Sequence, residues 1–167
     1  MEELIYCQRD IPEDKWRYGL RPSAATGCGW IAIYNALRIM GYEVQPEEIL
    51  KACTAQLPLV HGTLGTTILS PAFFFRKRGF RVEHTARNER FDEVAKRSDV
   101  CILFYRWHQK LKVGAHFVAL HHTPEGFIGY NTYRTSKGPD RYGESLESFL
   151  KQRKYFGCVL FGIRKGK

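Results

Sequence analysis

Three residues whose types cooperate in nucleophilic catalysis stand far apart in this sequence: Cys28, His116 and Asn131. Cys28 lies between Gly27 and Gly29, where an apolar run with helical period begins. A cysteine attacks a carbonyl group as its thiolate, and the free N–H groups at a helix N-terminus favour that negative charge. The same N–H groups can hold an oxyanion, and the two glycines would leave room for a substrate chain. The alternative is that Cys28 is a small buried residue at a helix start, where glycine only permits a turn.

His116 is the best placed of the six histidines to accept the proton of such a thiol. It begins a predicted strand directly after the stretch "VGA", so a rigid element would project its imidazole into a cleft. His116 shares a strand face with His122, but the two positions are six residues apart, roughly 20 Å along a strand, which argues against a metal site. The alternative is an edge-strand histidine without a function.

The turn signal "TPEG" predicts a hairpin between the strand of His116 and the following strand, "GFIGYNTY". Pairing across this turn brings the region of Asn131 beside the region of His116. An amide oxygen there can accept the imidazole N–H and fix the tautomer of the ring. The alternative is that Asn131 is a turn residue at the end of a strand. A cysteine at a helix start, a histidine at a strand start and an asparagine one hairpin strand later are together more specific than any one of them.

The elements that must position these residues are helices first and strands second. A buried stripe of helical spacing predicts a helix over 28–40, the stretch that Cys28 opens. This order predicts an α+β class in a single domain over 1–167, with an irregular lead-in over 1–23 and a loop over 54–65 that borders the substrate groove. Further helices are predicted over 45–53, 70–79 and 143–153, and a short helix or a turn over 90–98. Strands are predicted over 80–85, 100–107, 115–123, 126–133 and 157–165.

Composition narrows the class of protein further. With 167 residues, 44% of them hydrophobic, the chain can bury one core, so we do not expect disorder. We expect a soluble, cytoplasmic protein, because no apolar run approaches the roughly 20 residues of a membrane span and no signal segment is visible. Five widely spaced cysteines without a CxxC pair argue against a disulfide framework or a structural zinc site. The net charge of +9 allows contact with nucleic acid, but interleaved apolar residues favour a solvated basic face.

The segments "GCGWIAIYNALRIMG", "GAHFVAL" and "GFIGYNTY" resemble those of the papain-like cysteine peptidases. The likeness is greatest to the bacterial peptidases that process bacteriocin leaders (double-glycine peptidases) and their stand-alone relatives, and it runs over most of residues 24–163. It implies a papain-like α+β fold, in which an N-terminal helical part with the nucleophile helix packs on a C-terminal antiparallel sheet. It also implies that Cys28 is the nucleophile, His116 the general base and acid, and Asn131 the orienting residue. A peptide or protein substrate is implied, and no metal or organic cofactor.

The sequence departs from this family pattern at two places. The family has a glutamine a few residues before the cysteine, and its side chain helps to form the oxyanion hole. Here the nearest upstream glutamine is Gln8, which can reach the site only if the lead-in folds back. Ser23 or Thr26 could supply a hydroxyl donor instead, and the loss of one such donor typically costs about 10²- to 10³-fold in rate. Trp30 stands where the relatives usually have proline, and it either lines the substrate cleft or packs in the core.

Four functions fit these residues. The first is a hydrolase that cleaves a peptide or isopeptide bond through an S-acyl intermediate, and the second is an acyltransferase that uses the same three residues. The third is a catalytically impaired peptide-binding module, for which the missing glutamine would be a sign of decay; the retained cysteine, histidine and asparagine argue against it. The fourth is a nucleic-acid-binding protein, based on the charge and on "FFFRKRGFR". The three phenylalanines are more simply the buried face of a helix, so we expect neither a nucleic acid nor a membrane as partner.

Overall fold

A six-stranded antiparallel sheet organises the protein, in a computed structural model that describes residues 4–56, 66–109 and 112–166. The α+β class is confirmed. In chain order the elements are β1 (Arg17–Tyr18), β2 (Arg21–Pro22), α1 (Ser23–Thr26), α2 (Cys28–Ile39), α3 (Pro46–Gln56), α4 (Ser70–Lys77), β3 (Arg81–Thr85), α5 (Phe91–Lys96), β4 (Val100–Gln109), β5 (Lys112–Thr123), β6 (Gly126–Tyr130), β7 (Asp140–Gly143), α6 (Leu146–Arg153) and β8 (Phe156–Arg164). The large sheet has the strand order β3-β8-β4-β5-β6-β7, and β1 pairs with β2 separately.

The large sheet separates two apolar cores. Because side chains alternate along a strand, Phe104 of β4 and Phe117 of β5 pack on one face, together with residues from α2, α3 and α4. Leu103 and Val118 pack on the other face, against residues from α5 and α6. Helix α2, which begins at Cys28, therefore lies directly against the strand that carries the candidate histidine.

Several predicted elements differ from those observed. The lead-in is not irregular throughout, because it contains β1, β2 and the start of α1. Strand β7 was not predicted. Three of its four residues pair with β6, and only Tyr142 among the four is buried, so the sequence shows no strand pattern there. Phe73 is exposed, and the buried face of α4 is formed by Phe74 and Phe75 instead. Most of the predicted loop over 54–65 lies outside the described residues.

A buried asparagine in α2 anchors the N-terminal segment. Asn35 is fully buried, its Oδ1 accepts a hydrogen bond from the N–H of Ile5 (2.9 Å) and its Nδ2 donates to the carbonyl of Ile5 (2.9 Å). The amide thus pairs with the main chain as a neighbouring strand would, which satisfies its buried polar atoms. A second connection joins Lys137 Nζ to the Asp10 carboxylate at 2.9 Å, but it is exposed and contributes little.

Among the described residues, the structure contains no helix with the length and apolar character needed to cross a bilayer.

Replacing Asn35 by leucine tests the anchor. The change removes both hydrogen bonds to Ile5 at a fully buried position, so we expect the free energy of unfolding to fall by about 1–3 kcal/mol. Urea unfolding measures this loss, and limited proteolysis should show new cleavage within residues 4–10. The partly exposed Asn88 provides the control, Asn88→Leu. Unchanged stability and unchanged protection of the lead-in would contradict the assignment.

Candidate active site

Cys28 is the least buried of the five cysteines. It is the first residue of α2, and it is partly exposed. The other four cysteines are free and buried: Cys7, Cys53, Cys101 and Cys158. A reagent in solution therefore reaches Cys28 more easily than any of the others.

The electrostatics of the Cys28 thiol differ from the expectation for a helix N-terminus. Burial raises the pKa of this thiol, and it outweighs the opposite effect of the N–H groups of Phe117, Gly29 and Cys28 itself. The expected lowering by the helix N-terminus is therefore not the net result. The resting group is a neutral thiol, so it needs a base to become a nucleophile.

The glycines on both sides of Cys28 do not open a path for substrate. A Cβ atom on Gly27 would lie 2.6 Å from the carbonyl oxygen of Ser23, and a Cβ atom on Gly29 would collide with the side chain of Thr66. Thr66 is itself buried, and its hydroxyl donates to the phenolic oxygen of Tyr18 at 2.9 Å. The expectation that these glycines leave room for a substrate chain is wrong, because protein atoms occupy that space. They allow close packing around the start of α2.

His116 lies on β5 directly before Phe117, whose N–H faces the Cys28 thiol. Its Nε2 lies 2.6 Å from the main-chain oxygen of Asn131. Because a carbonyl oxygen can only accept, Nε2 carries the proton and Nδ1 holds the free lone pair. Burial lowers the pKa of His116 and outweighs the opposite effect of the Asn131 carbonyl. The ring is therefore neutral near pH 7 and able to accept a proton.

Asn131 holds His116 through its main chain and not through its side-chain amide, which differs from the expected contact. Asn131 is buried and has a φ of 62°, in the left-handed region that asparagine tolerates better than most residues. Its amide faces away from the imidazole: Oδ1 accepts from the N–H of Gln8 (2.8 Å), and Nδ2 donates to Oε1 of Gln8 (3.3 Å). The amide contacts help to hold the backbone conformation that presents the carbonyl.

Gln8 reaches the site because the lead-in does fold back. Its Nε2 donates to the carbonyl of Ala24 (3.1 Å), in the short helix directly before Cys28. Gln8 therefore joins the end of β6, through Asn131, to the turn that precedes the thiol. Its distance along the chain from Cys28 concealed this position; the buried Asn35 within α2 was the available signal that another segment docks there.

Three predicted site residues remain, and two of them, Ser23 and Trp30, lie in the core. Ser23 and Trp30 are fully buried, and Ser23 Oγ accepts from the indole N–H at 3.1 Å. The indole also packs edge to face on Trp16, with 5.6 Å between the ring centroids. Trp30 therefore packs in the core and does not line a cleft, and Ser23 is enclosed with it. Thr26 Oγ1 is buried without a hydrogen-bond partner among the described residues, so its hydroxyl is still available as a donor.

An open cavity adjoins the imidazole. Its volume is about 510 Å³, and His116, Asn131 and Gln8 contribute to its wall. Cavities of this size hold small ligands or a few residues of a peptide. The predicted base and its partner thus border a space that an external molecule can enter.

The arrangement of helices and strands is that of a papain-like peptidase domain. The structure is similar to the peptidase domain of Streptococcus ComA, a bi-functional ABC transporter involved in a quorum sensing pathway. The TM-score is 0.57 at 13% sequence identity, and the likeness covers 89% of this chain and 99% of that one. At this identity the likeness shows the fold alone. No family model and no curated protein matches the sequence.

Two substitutions at Asn131 separate its carbonyl from its amide. Both Asn131→Gly and Asn131→Ala remove the contacts to Gln8, but only glycine adopts the positive φ without strain. We expect the alanine variant to be less stable than the glycine variant by about 1 kcal/mol. We also expect His116 in the glycine variant to keep its proton on Nε2. Urea unfolding and ¹⁵N NMR of the imidazole measure these two outcomes. Equal stabilities, or a proton moved to Nδ1 in the glycine variant, would contradict the geometry.

Proposed function

We propose that the protein is a cysteine-peptidase-like hydrolase that cleaves a peptide or isopeptide bond, with Cys28 as nucleophile and His116 as general base and acid. The observation that supports this most is that the N–H of Phe117, the residue after His116 on β5, faces the partly exposed Cys28 at the start of α2, while His116 is a neutral imidazole of defined tautomer. The papain-like fold supports it independently. Asn131 orients the imidazole through its carbonyl oxygen.

The chemistry starts from an uncharged pair. Nδ1 of His116 takes the proton of the Cys28 thiol while the sulfur attacks the substrate carbonyl carbon. The resulting imidazolium then gives this proton to the leaving amine, the C–N bond breaks, and an S-acyl enzyme remains. A water molecule, deprotonated by the same nitrogen, attacks the thioester and releases the acid and the thiol. The imidazolium that forms in each step is stabilised by the Asn131 carbonyl, which already accepts from Nε2.

For the oxyanion we assign two donors from the chain itself. The N–H of Cys28 lies at the helix start, beside the sulfur. The side-chain amide of Gln8 donates one N–H to the carbonyl of Ala24, so its second N–H is available at the wall of the cavity. Gln8 would thus supply the donor that the sequence does not place directly before the cysteine. Transfer of the acyl group to an amine in place of water uses the same steps, and an added amine that captures the acyl group would identify it.

Competitive alkylation of the five cysteines tests the proposed pair. We expect iodoacetamide to modify Cys28 before the other four at neutral pH, as read by peptide mass spectrometry. Because burial raises the pKa of the Cys28 thiol, the rate should continue to rise as the pH increases beyond neutrality, without levelling off. His116→Ala should slow the reaction of Cys28 about a hundredfold, since it removes the base.

The matched control for this experiment is His122→Ala. His122 lies on the same strand but is exposed and packs on Phe127, so its loss should leave the rate unchanged. Uniform labelling of all cysteines, or equal rates in the two histidine variants, would show that Cys28 and His116 do not act together. The protein would then be better described as a peptide-binding module of the same fold.

A further inference from the structure

The cavity beside His116 carries charge of one sign. Arg9, Arg134 and Arg153 belong to its wall, together with aromatic side chains that include Trp107 and Tyr155. Among the described residues, no aspartate or glutamate lines it. A cavity with several guanidinium groups and no carboxylate attracts an anion and repels a cation.

No carboxylate within the described residues forms an ion pair with these three arginines. None of the ion pairs formed within the described residues involves them, and all three are exposed. Of the nearby acids, Asp10 pairs with Lys137 at 2.9 Å, whereas Asp140 accepts a hydrogen bond from the Ser136 hydroxyl at 2.6 Å, keeps its charge and forms no ion pair among the described residues. Within the part of the chain that the structure describes, no ion pair therefore neutralises these three guanidinium groups.

Arg153 is also held in place. Its guanidinium lies 5.2 Å from the ring centroid of Tyr133 and 5.6 Å from that of Phe149. Tyr155, which also lines the cavity, stacks on Tyr105 with 4.2 Å between ring centroids. Since aromatic faces limit the motion of a guanidinium, less entropy is lost when it pairs with a ligand.

We propose that this cavity binds a carboxylate-bearing segment of the substrate, on the leaving-group side of the scissile bond. The proposal rests on the proposed function. Among the described residues, His116 borders the cavity and Cys28 does not. The imidazole must face the leaving amine to protonate it, so the chain that follows this amine runs past His116 into the cavity. Its carboxylate comes from an acidic side chain or from a free C-terminus, and both would pair with the same guanidinium groups.

We expect the cavity to recognise a carboxylate through its arginines and a neighbouring apolar side chain through its aromatic wall. A carboxylate can accept two parallel hydrogen bonds from one guanidinium, and such charge-assisted bonds are stronger than neutral ones. Because the arginines are exposed, salt should weaken this contribution. The aromatic wall formed by Trp107 and Tyr155 provides apolar surface for a neighbouring side chain.

Peptide binding to the full chain with Cys28→Ala tests the proposal. The probe is the N-terminally fluorescein-labelled, C-terminally amidated peptide Ala-Ala-Ala-Ala-Glu-Phe-Glu, measured by fluorescence anisotropy against versions with glutamine or lysine at both acidic positions. We expect the glutamate peptide to bind about tenfold more tightly than the glutamine peptide, and the lysine peptide to bind most weakly. A glutamine peptide with a free C-terminal carboxylate distinguishes the two sources of the anion.

Variants identify the groups responsible. Arg134→Gln and Arg153→Gln, combined, should abolish the preference for glutamate. Arg87→Gln removes the same charge from an exposed position beyond the edge strand β3 and should leave the preference intact. Equal affinities for the glutamate and glutamine peptides, no binding of any peptide, or the same loss in Arg87→Gln would overturn the proposal. Binding does not require the thiol, so this result is independent of the alkylation of Cys28, which tests the proposed function by itself.

Discussion

The hydrogen bond from His116 Nε2 to the main-chain oxygen of Asn131 decides what the site can do, because it fixes which imidazole nitrogen is free. That carbonyl is presented by a backbone with positive φ, which costs free energy and persists only when the surroundings hold it. Here the two hydrogen bonds between the Asn131 amide and Gln8 hold this backbone conformation. Three residues before Gln8, the main chain of Ile5 is itself held by the buried Asn35. The orientation of one imidazole is thus supported by the N-terminal segment.

Burial favours the uncharged form of both members of the proposed pair. It raises the pKa of the Cys28 thiol and lowers the pKa of the His116 imidazole, so both rest without charge. A preformed thiolate is not needed, because proton transfer and attack can occur together when the substrate arrives. In the reaction that we propose, the Asn131 carbonyl would stabilise the charge that develops on the imidazole, and the N–H groups at the start of α2 would stabilise the charge on the substrate oxygen. The proposal therefore implies that Cys28 reacts slowly in the absence of substrate.

Sequence patterns predict correctly the features that are decided by residues close together in the chain. The apolar stripe of α2 sets that helix, and "TPEG" sets the hairpin between β5 and β6. The contact atom of Asn131, the return of Gln8 and the close packing at Gly29 were not predictable, because each is decided by a residue far away in the chain. Alternation along β5 predicts a face for His116 but not the atom that it meets.

The most direct test of the account is whether the chain forms and then hydrolyses a thioester at Cys28. p-Nitrophenyl acetate supplies an activated acyl group without any peptide specificity, and rapid quenching followed by peptide mass spectrometry locates the acetyl group. The account predicts a single acetyl group on Cys28 that forms quickly and disappears by hydrolysis, and slow formation in His116→Ala. Acetylation of the buried cysteines at a similar rate, or identical kinetics with and without His116, would contradict it.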